Sequence, residues 1–247
     1  MIKIENTNVV GFEDAIRGMR NPMNSWEKSD SVPGYAENNN KFEIGPNDHE
    51  LMMKLSKAGS VHAKFRRMIV VYVDLTAPLY WWKEFDTYKV GTVANSCSTM
   101  HKIAEKEFTL DDFSHEHLIS SWGDPDDNKS FIFSEFDVPL DSSDELSDTI
   151  KFEDADSPLN VLEHIICALN NNREAYLVTK DKRFWWQMIQ LLPSSYNQRR
   201  TIMLNYEVLV GIYHDRKDHK LDEWHDLCNW ISTLPYSELI TGDEPCK

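Results

Sequence analysis

The chain has 247 residues, enough for one large domain or two small ones with a proper core, and 41% hydrophobic content with eight Trp and eleven Phe marks a folded protein. A formal net charge of −15 excludes a general nucleic-acid binder, because a phosphate backbone must be met by Lys and Arg. No apolar run approaches the roughly 20 residues of a membrane helix and no signal-peptide core opens the chain, so a cytoplasmic setting with no membrane partner is expected.

In chain order, Phe12, Ala15, Ile16 and Met19 recur at helical spacing, and Asn21-Pro22 ends that helix. Arg17 and Arg20 lie three apart on one face, where they are either anion ligands or a solvated surface. Residues 25–46 turn to Ser, Asn, Gly and Pro and predict a surface loop, so residues 1–46 form an N-terminal extension of helix and loop. The main domain then spans residues 47–240. It begins with a helix capped by Asn47-Asp48, striped by Leu51, Met52 and Leu55 and stopped at Gly59, and Lys64-Phe65-Arg66-Arg67 leads into an apolar strand at residues 68–73. Leu79 to Phe85 has helical spacing, whereas residues 91–99 lack it and predict a loop or a broken element.

Between residues 102 and 156, seventeen acidic residues face four basic ones, which places −13 of the −15 in this segment. Residues 108–122 predict a helix, and residues 123–156 an acidic, solvated insertion. His115 and His117 would point apart on a helix, which argues against a metal site there. Ser157-Pro158 opens a helix striped by Leu159, Leu162, Ile165, Ile166 and Leu169, and residues 176–192 predict another, ending at Pro193. Residues 201–216 predict a third, and Leu221, Trp224, Leu227, Cys228 and Ile231 a fourth. The cysteines Cys97, Cys167, Cys228 and Cys246 show no Cys-x-x-Cys spacing, so neither a zinc site nor a disulfide framework is expected, and Cys97 reads as a small buried hydrophobe.

The segment from Ala77 to His101 mixes aromatic residues, one Lys and small hydroxyl and amide residues, and it resembles the signature region of the flavin-dependent thymidylate synthases. In that family a strand leads through Ala-Pro and an aromatic, Gln-containing helix to Arg-His-Arg and then Ser. Here Ala77-Pro78 and Glu84-Phe85 stand in place, the triplet falls on Thr87-Tyr88-Lys89 and the Ser on Ser98. A second segment is similar to the same family: Leu192-Pro193, Thr201, Asn205, Leu209, Tyr213, Arg216, His219 and Glu223-Trp224 keep its order and nearly its spacing. The similarity runs from about residue 48 to residue 235.

This resemblance implies an α+β fold, with a central, mostly antiparallel sheet flanked by long helices. It implies dUMP to dTMP conversion with FAD, with NADPH and methylenetetrahydrofolate as co-substrates, in a homotetramer. Arg216 and Ser98 become the catalytic candidates; Lys89, Ser98 and Arg216 the binders of a pyrimidine nucleotide; and Lys89, Asn95, Asn205 and His219 the flavin side. A guanidinium suits a reaction at C5 of a uracil because it stabilises charge on the ring without deprotonating. On a helix Asn205, Leu209 and Arg216 would share a face. The departures are Thr87 and Tyr88 in the triplet, Met100 and Ile189 at usual Arg positions, and Glu207 at another; Arg17, Arg20, Lys64, Arg66 and Arg67 are the candidate substitutes. The alternative is a binding protein on the same fold that has lost flavin chemistry and holds a nucleotide or a partner protein. A metal hydrolase built on His214, Asp215, Asp218, His219 and His225 is a third class, disfavoured because a spacing of five puts His214 and His219 on different helix faces.

Overall fold

The computed structural model describes residues 2–32, 42–120 and 157–242. The acidic segment 123–156 therefore lies outside the described residues. The chain divides into two compact units, one formed by residues 1–97 with 197–247 and the other by residues 98–196. None of the described helices is long and apolar enough to cross a membrane.

The first unit is built on a four-stranded antiparallel sheet of order β1-β2-β4-β3, with β1 Lys3–Val10, β2 Val70–Pro78, β3 Val93–Ser96 and β4 Asn197–Asn205. Strand β2 alternates as a half-buried strand must: Val71, Val73, Leu75 and Ala77 are at most 1% exposed, while Tyr72 on the other face is open. Ile202 and Leu204 of β4 continue the buried face. Against it pack α1 (Phe12–Arg20), α2 (Pro46–Lys57), α3 (Leu79–Phe85) and, from the end of the chain, α7 (Tyr206–Arg216), α8 (Asp222–Ser232) and α9 (Glu238–Thr241).

The sheet and its helices match the expected α+β class, but several boundaries differ. The predicted helix over residues 201–216 is strand to Asn205 and helix only from Tyr206. The decisive signal is the two-residue step from Ile202 to Leu204, which the helical fit through Leu209 and Ile212 had absorbed. Strand β1 carries no clean alternation because a bulge between Glu5 and Asn8, with Asn6 at φ 53°, shifts its register, and sequence reading passed over it. Part of the predicted loop at residues 91–99 is the exposed edge strand β3. Cys97 is exposed, not buried; Cys228 is the buried thiol, and burial pushes its pKa up to about 11.

The second unit holds α4 (Thr99–Lys102), α5 (Pro158–Thr179) and α6 (Lys182–Leu191) around a small core of Ile103, Phe108, Phe113, Leu162, Leu169 and Met188. Ser157 caps α5 as expected, accepting a hydrogen bond from Asn160 N–H. The helix predicted over 176–192 is interrupted, since Lys180 turns left-handed at φ 58° and Asp181 caps α6. Within 108–120 the predicted helix is one short turn, Leu110–Asp112, closed by a Thr109/Asp112 capping box, after which Phe113 pairs with Tyr196.

Asp48 does not cap α2. Gly45 precedes the helix and the Asp30 carboxylate takes the Asn47 and Asp48 N–H groups, at 2.9 and 3.1 Å. Asp48 is instead fully buried, 2.6 Å from Arg20 Nε, and it accepts from both Ser29 and Ser31 hydroxyls. Arg20 in turn donates to the Ser25 and Lys28 carbonyls, so it ties down the loop and is not an anion ligand. Burial alone would raise the Asp48 pKa, but the two serines and Arg20 outweigh it and hold the carboxyl below its ordinary value. Asp48→Ala strands a buried guanidinium and is expected to cost about 3 to 5 kcal/mol in urea unfolding. Because the folded pKa is the lower one, the Asp48 contribution is present above pH ~4 and is lost as pH falls through the depressed value. A variant whose acid unfolding is less steep than that of the native chain is the expected result.

Candidate functional site: an arginine held by Glu84, Tyr88 and Trp224

Helix α3 follows directly from β2 through Pro78. Its inward face, Trp81, Trp82 and Phe85, is at most 2% exposed, and on its other side Glu84 remains half-buried. Trp81 lies 4.7 Å from the ring of Trp224, the third residue of α8, which is itself fully buried. These rings lock α3 to α8. Arg216 closes α7, an end where the helix dipole favours a cation, and its guanidinium lies 4.5 Å over the Trp224 ring.

The polar contacts converge on one carboxylate oxygen. Glu84 Oε2 accepts from Arg216 Nη1 at 2.8 Å and from Trp224 Nε1 at 3.1 Å, and His219 Nε2 stands 3.4 Å away. Leu221 N–H donates to His219 Nδ1 at 3.1 Å, which leaves Nε2 as the nitrogen that carries a proton toward Glu84. Arg216 Nε donates to the Tyr88 hydroxyl at 2.9 Å, and that hydroxyl faces Asp215 at 3.4 Å. Burial raises the Tyr88 pKa and Asp215 adds to this, with Arg216 acting in the opposite sense. Two groups are left over: among the described residues Arg216 Nη2 and Glu84 Oε1 have no hydrogen-bond partner. The pair thus keeps one donor and one acceptor uncommitted.

Five of the six sequence-predicted site residues stand in the first unit. Arg216 and His219 meet at Glu84. Exposed Lys89 follows Tyr88 and lines a cavity of about 120 Å³ with Phe85, Asp86, Tyr88, Thr92 and Ala94. Beside it Asp86 pairs with Arg200 at 2.7 Å, and that guanidinium lies 4.1 Å over Trp82. Asn205 does not share a helix face with Leu209 and Arg216. It caps α7, accepting from Val208 N–H at 3.1 Å. Gly91 has φ 79° and a Cβ there would sit 3.0 Å from Asn205 Nδ2, so a side chain at this position is strained. Asn95 is exposed on β3 opposite Thr201. Ser98 belongs to the second unit, where it caps α4 and its hydroxyl meets His101 Nδ1 at 2.6 Å.

Sequence reasoning gave no site role to Glu84, Tyr88 or Trp224. The one available signal was the four-residue spacing of Glu84 and Tyr88, which puts both on one side of the α3 end. Of the substitute cations, Arg17 pairs with Asp14, and Arg66 is buried against Glu207 at 2.9 Å, so the acidic residue at a usual Arg position has a structural partner. No group of three or more metal-ligating side chains occurs among the described residues.

No family model and no curated protein matches the sequence. Solved structures do match. Thymidylate synthase X from Helicobacter pylori, crystallised with FAD and dUMP, is 15% identical with a TM-score of 0.60 over 98% of both chains. The UMP/dUMP methylase PolB from Streptomyces cacaoi, bound with 5-Br dUMP, is 14% identical with a TM-score of 0.55 over 98% of this chain and 95% of that one. The chain has the fold of the flavin-dependent thymidylate synthases. In this fold a polar cluster gathers around Arg216, and that cluster is testable by itself. With side chains 17% and 36% exposed, Arg216 and Glu84 are expected to couple by about 1 kcal/mol in a double-mutant cycle of Arg216→Met and Glu84→Gln, read by urea unfolding. Strictly additive losses would contradict the geometry.

Proposed function

We propose that the chain binds a pyrimidine nucleotide at the Arg216 cluster. The observation that supports this is that Arg216 Nη2, a donor, and Glu84 Oε1, an acceptor, are left without partners among the described residues, and a pyrimidine offers groups of both complementary kinds. The Trp224 and Tyr88 rings hold the guanidinium in place, so little ordering is left to do when a base arrives. Lys89, at the adjacent cavity, is the proposed contact for the nucleotide phosphate. Arg216 is then the residue that polarises the base.

The fuller reading is conversion of dUMP to dTMP, in which methylenetetrahydrofolate would supply the methylene at C5 and a flavin reduced by NADPH the hydride, in a tetramer. The similarity over 98% of the chain favours it. The residues proposed for the flavin fit FAD poorly, however. Of Lys89, Asn95, Asn205 and His219 only Lys89 brings a full positive charge, the Asn205 carboxamide oxygen is spent on the α7 cap, and His219 Nδ1 on Leu221. A diphosphate asks for more than one cation. The binding reading therefore rests on the Arg216 cluster and not on the flavin residues.

Thermal unfolding in dUMP or dCMP tests the binding reading. At a hundredfold excess over the dissociation constant a ligand adds about 2.7 kcal/mol, a clear upward shift in Tm that Arg216→Ala abolishes. No shift with either nucleotide would refute it. The visible absorbance of the purified protein decides separately whether flavin is retained: a colourless protein with intact nucleotide binding leaves the binding reading and removes the enzymatic one.

A further inference from the structure

We propose a second binding site in the first unit, apart from the Arg216 cluster: a cavity beside α1 that takes a small organic cation on an apolar body about one aromatic ring in size. Four of its lining residues, Glu13, Ile16, Arg17 and Arg20, follow one another at the three- and four-residue steps of a helix face. Trp26, Ser29, Ser31 and Phe42 complete the lining, around a volume of about 200 Å³. A dry apolar cavity of about 150 Å³ is enough for benzene. One ring with a short substituent therefore fits, whereas a three-ring flavin or a dinucleotide does not. The aromatic walls are held in place beforehand. Trp26 Nε1 donates to Asn21 Oδ1 at 2.8 Å, and Phe42 stacks at 6.2 Å on Phe12, which Tyr206 and Tyr236 meet edge-on. Trp26 nonetheless stays 48% exposed, an apolar ring that a ligand in the cavity would cover.

The sign of the ligand follows from which charges around the cavity are already balanced. Each guanidinium has its own carboxylate: Arg17 pairs with Asp14, and Arg20 lies 2.6 Å from Asp48. Arg20 also donates to the Ser25 and Lys28 carbonyls, so all three of its nitrogens are engaged. The Glu13 side chain has no ion-pair or hydrogen-bond partner among the described residues, so the uncompensated charge at the cavity is its carboxylate. Both serine hydroxyls donate to Asp48, and Ser31 Oγ accepts from Gly45 N–H at 3.0 Å, which leaves the two side chains with acceptor capacity only. A ligand ammonium finds here a free carboxylate, hydroxyl oxygens that accept, and the rings of Trp26 and Phe42, whose faces attract a cation. An anion would have to displace Asp14 or Asp48 from its arginine, with Glu13 repelling it.

Isothermal titration of the full chain with phenethylamine, 2-phenylethanol and phenylacetate tests this, since the three carry a positive, a neutral and a negative group on one ring. The native chain is expected to bind phenethylamine about five- to tenfold more tightly than 2-phenylethanol, from the carboxylate and ring contacts together, and phenylacetate more weakly than either. Glu13→Gln reduces that ratio at least about twofold, and Trp26→Ala weakens both phenethylamine and 2-phenylethanol, with circular dichroism confirming the fold of each variant. Phenylacetate binding as tightly as phenethylamine, or a ratio that Glu13→Gln leaves unchanged, overturns the assignment of a cation. A chain of net charge −15 also collects amines loosely over its surface. Phenethylamine binding that Trp26→Ala leaves unchanged would have that origin and, like no binding of any of the three, overturns the site itself.

Discussion

The single oxygen Glu84 Oε2 is where the first unit's chain segments are tied at the site. Donors reach it from the end of α7, from the turn after it and from α8, so a carboxylate on a seven-residue helix fixes three later segments at once. The rings beneath make this possible. Trp81 is stacked 5.1 Å from Phe85 and lies 4.7 Å from Trp224, a layer with almost no exposed surface that gives the carboxylate a rigid floor. Taking charge off water is costly, and here it is offset by gathering three donors around one acceptor.

That arrangement also says what the site is suited to bind. Arg216 is already neutralised by Glu84 and is a poor attractor for a phosphate, but its remaining donors keep their direction. A neutral heterocycle with a patterned edge gains most from such a group, whereas a free anion would have to displace the carboxylate. Lys89, exposed and without an ion-pair partner among the described residues, is the cation still open to a phosphate, and the two roles are thus separated along the chain.

Much of this could be read from residues alone, for reasons that are physical. The α1 and α8 stripes are clear because their apolar residues repeat at helical spacing against polar neighbours, and Ser157-Pro158 announces α5 because a cap and a preset φ occur together. Strand β4 was lost because Arg199, Arg200 and Thr201 dilute its alternation: those side chains serve Asp74 and Asp86 on the sheet surface. Arg20 looked like a surface ligand since nothing local reveals a partner 28 positions away. Arg216 and His219 emerged through the family resemblance, while Glu84 stayed hidden as a site residue because its role depends on donors more than 130 positions later.

The most direct test of the account is a nitrogen-15 NMR titration that follows the Arg216 guanidinium and the Trp224 indole N–H as dCMP is added. Both signals report on groups that hold Glu84, and both are predicted to move together and saturate with one dissociation constant. Signals that stay in place while dCMP binds elsewhere, or that never move, would contradict the claim that this cluster reads a pyrimidine.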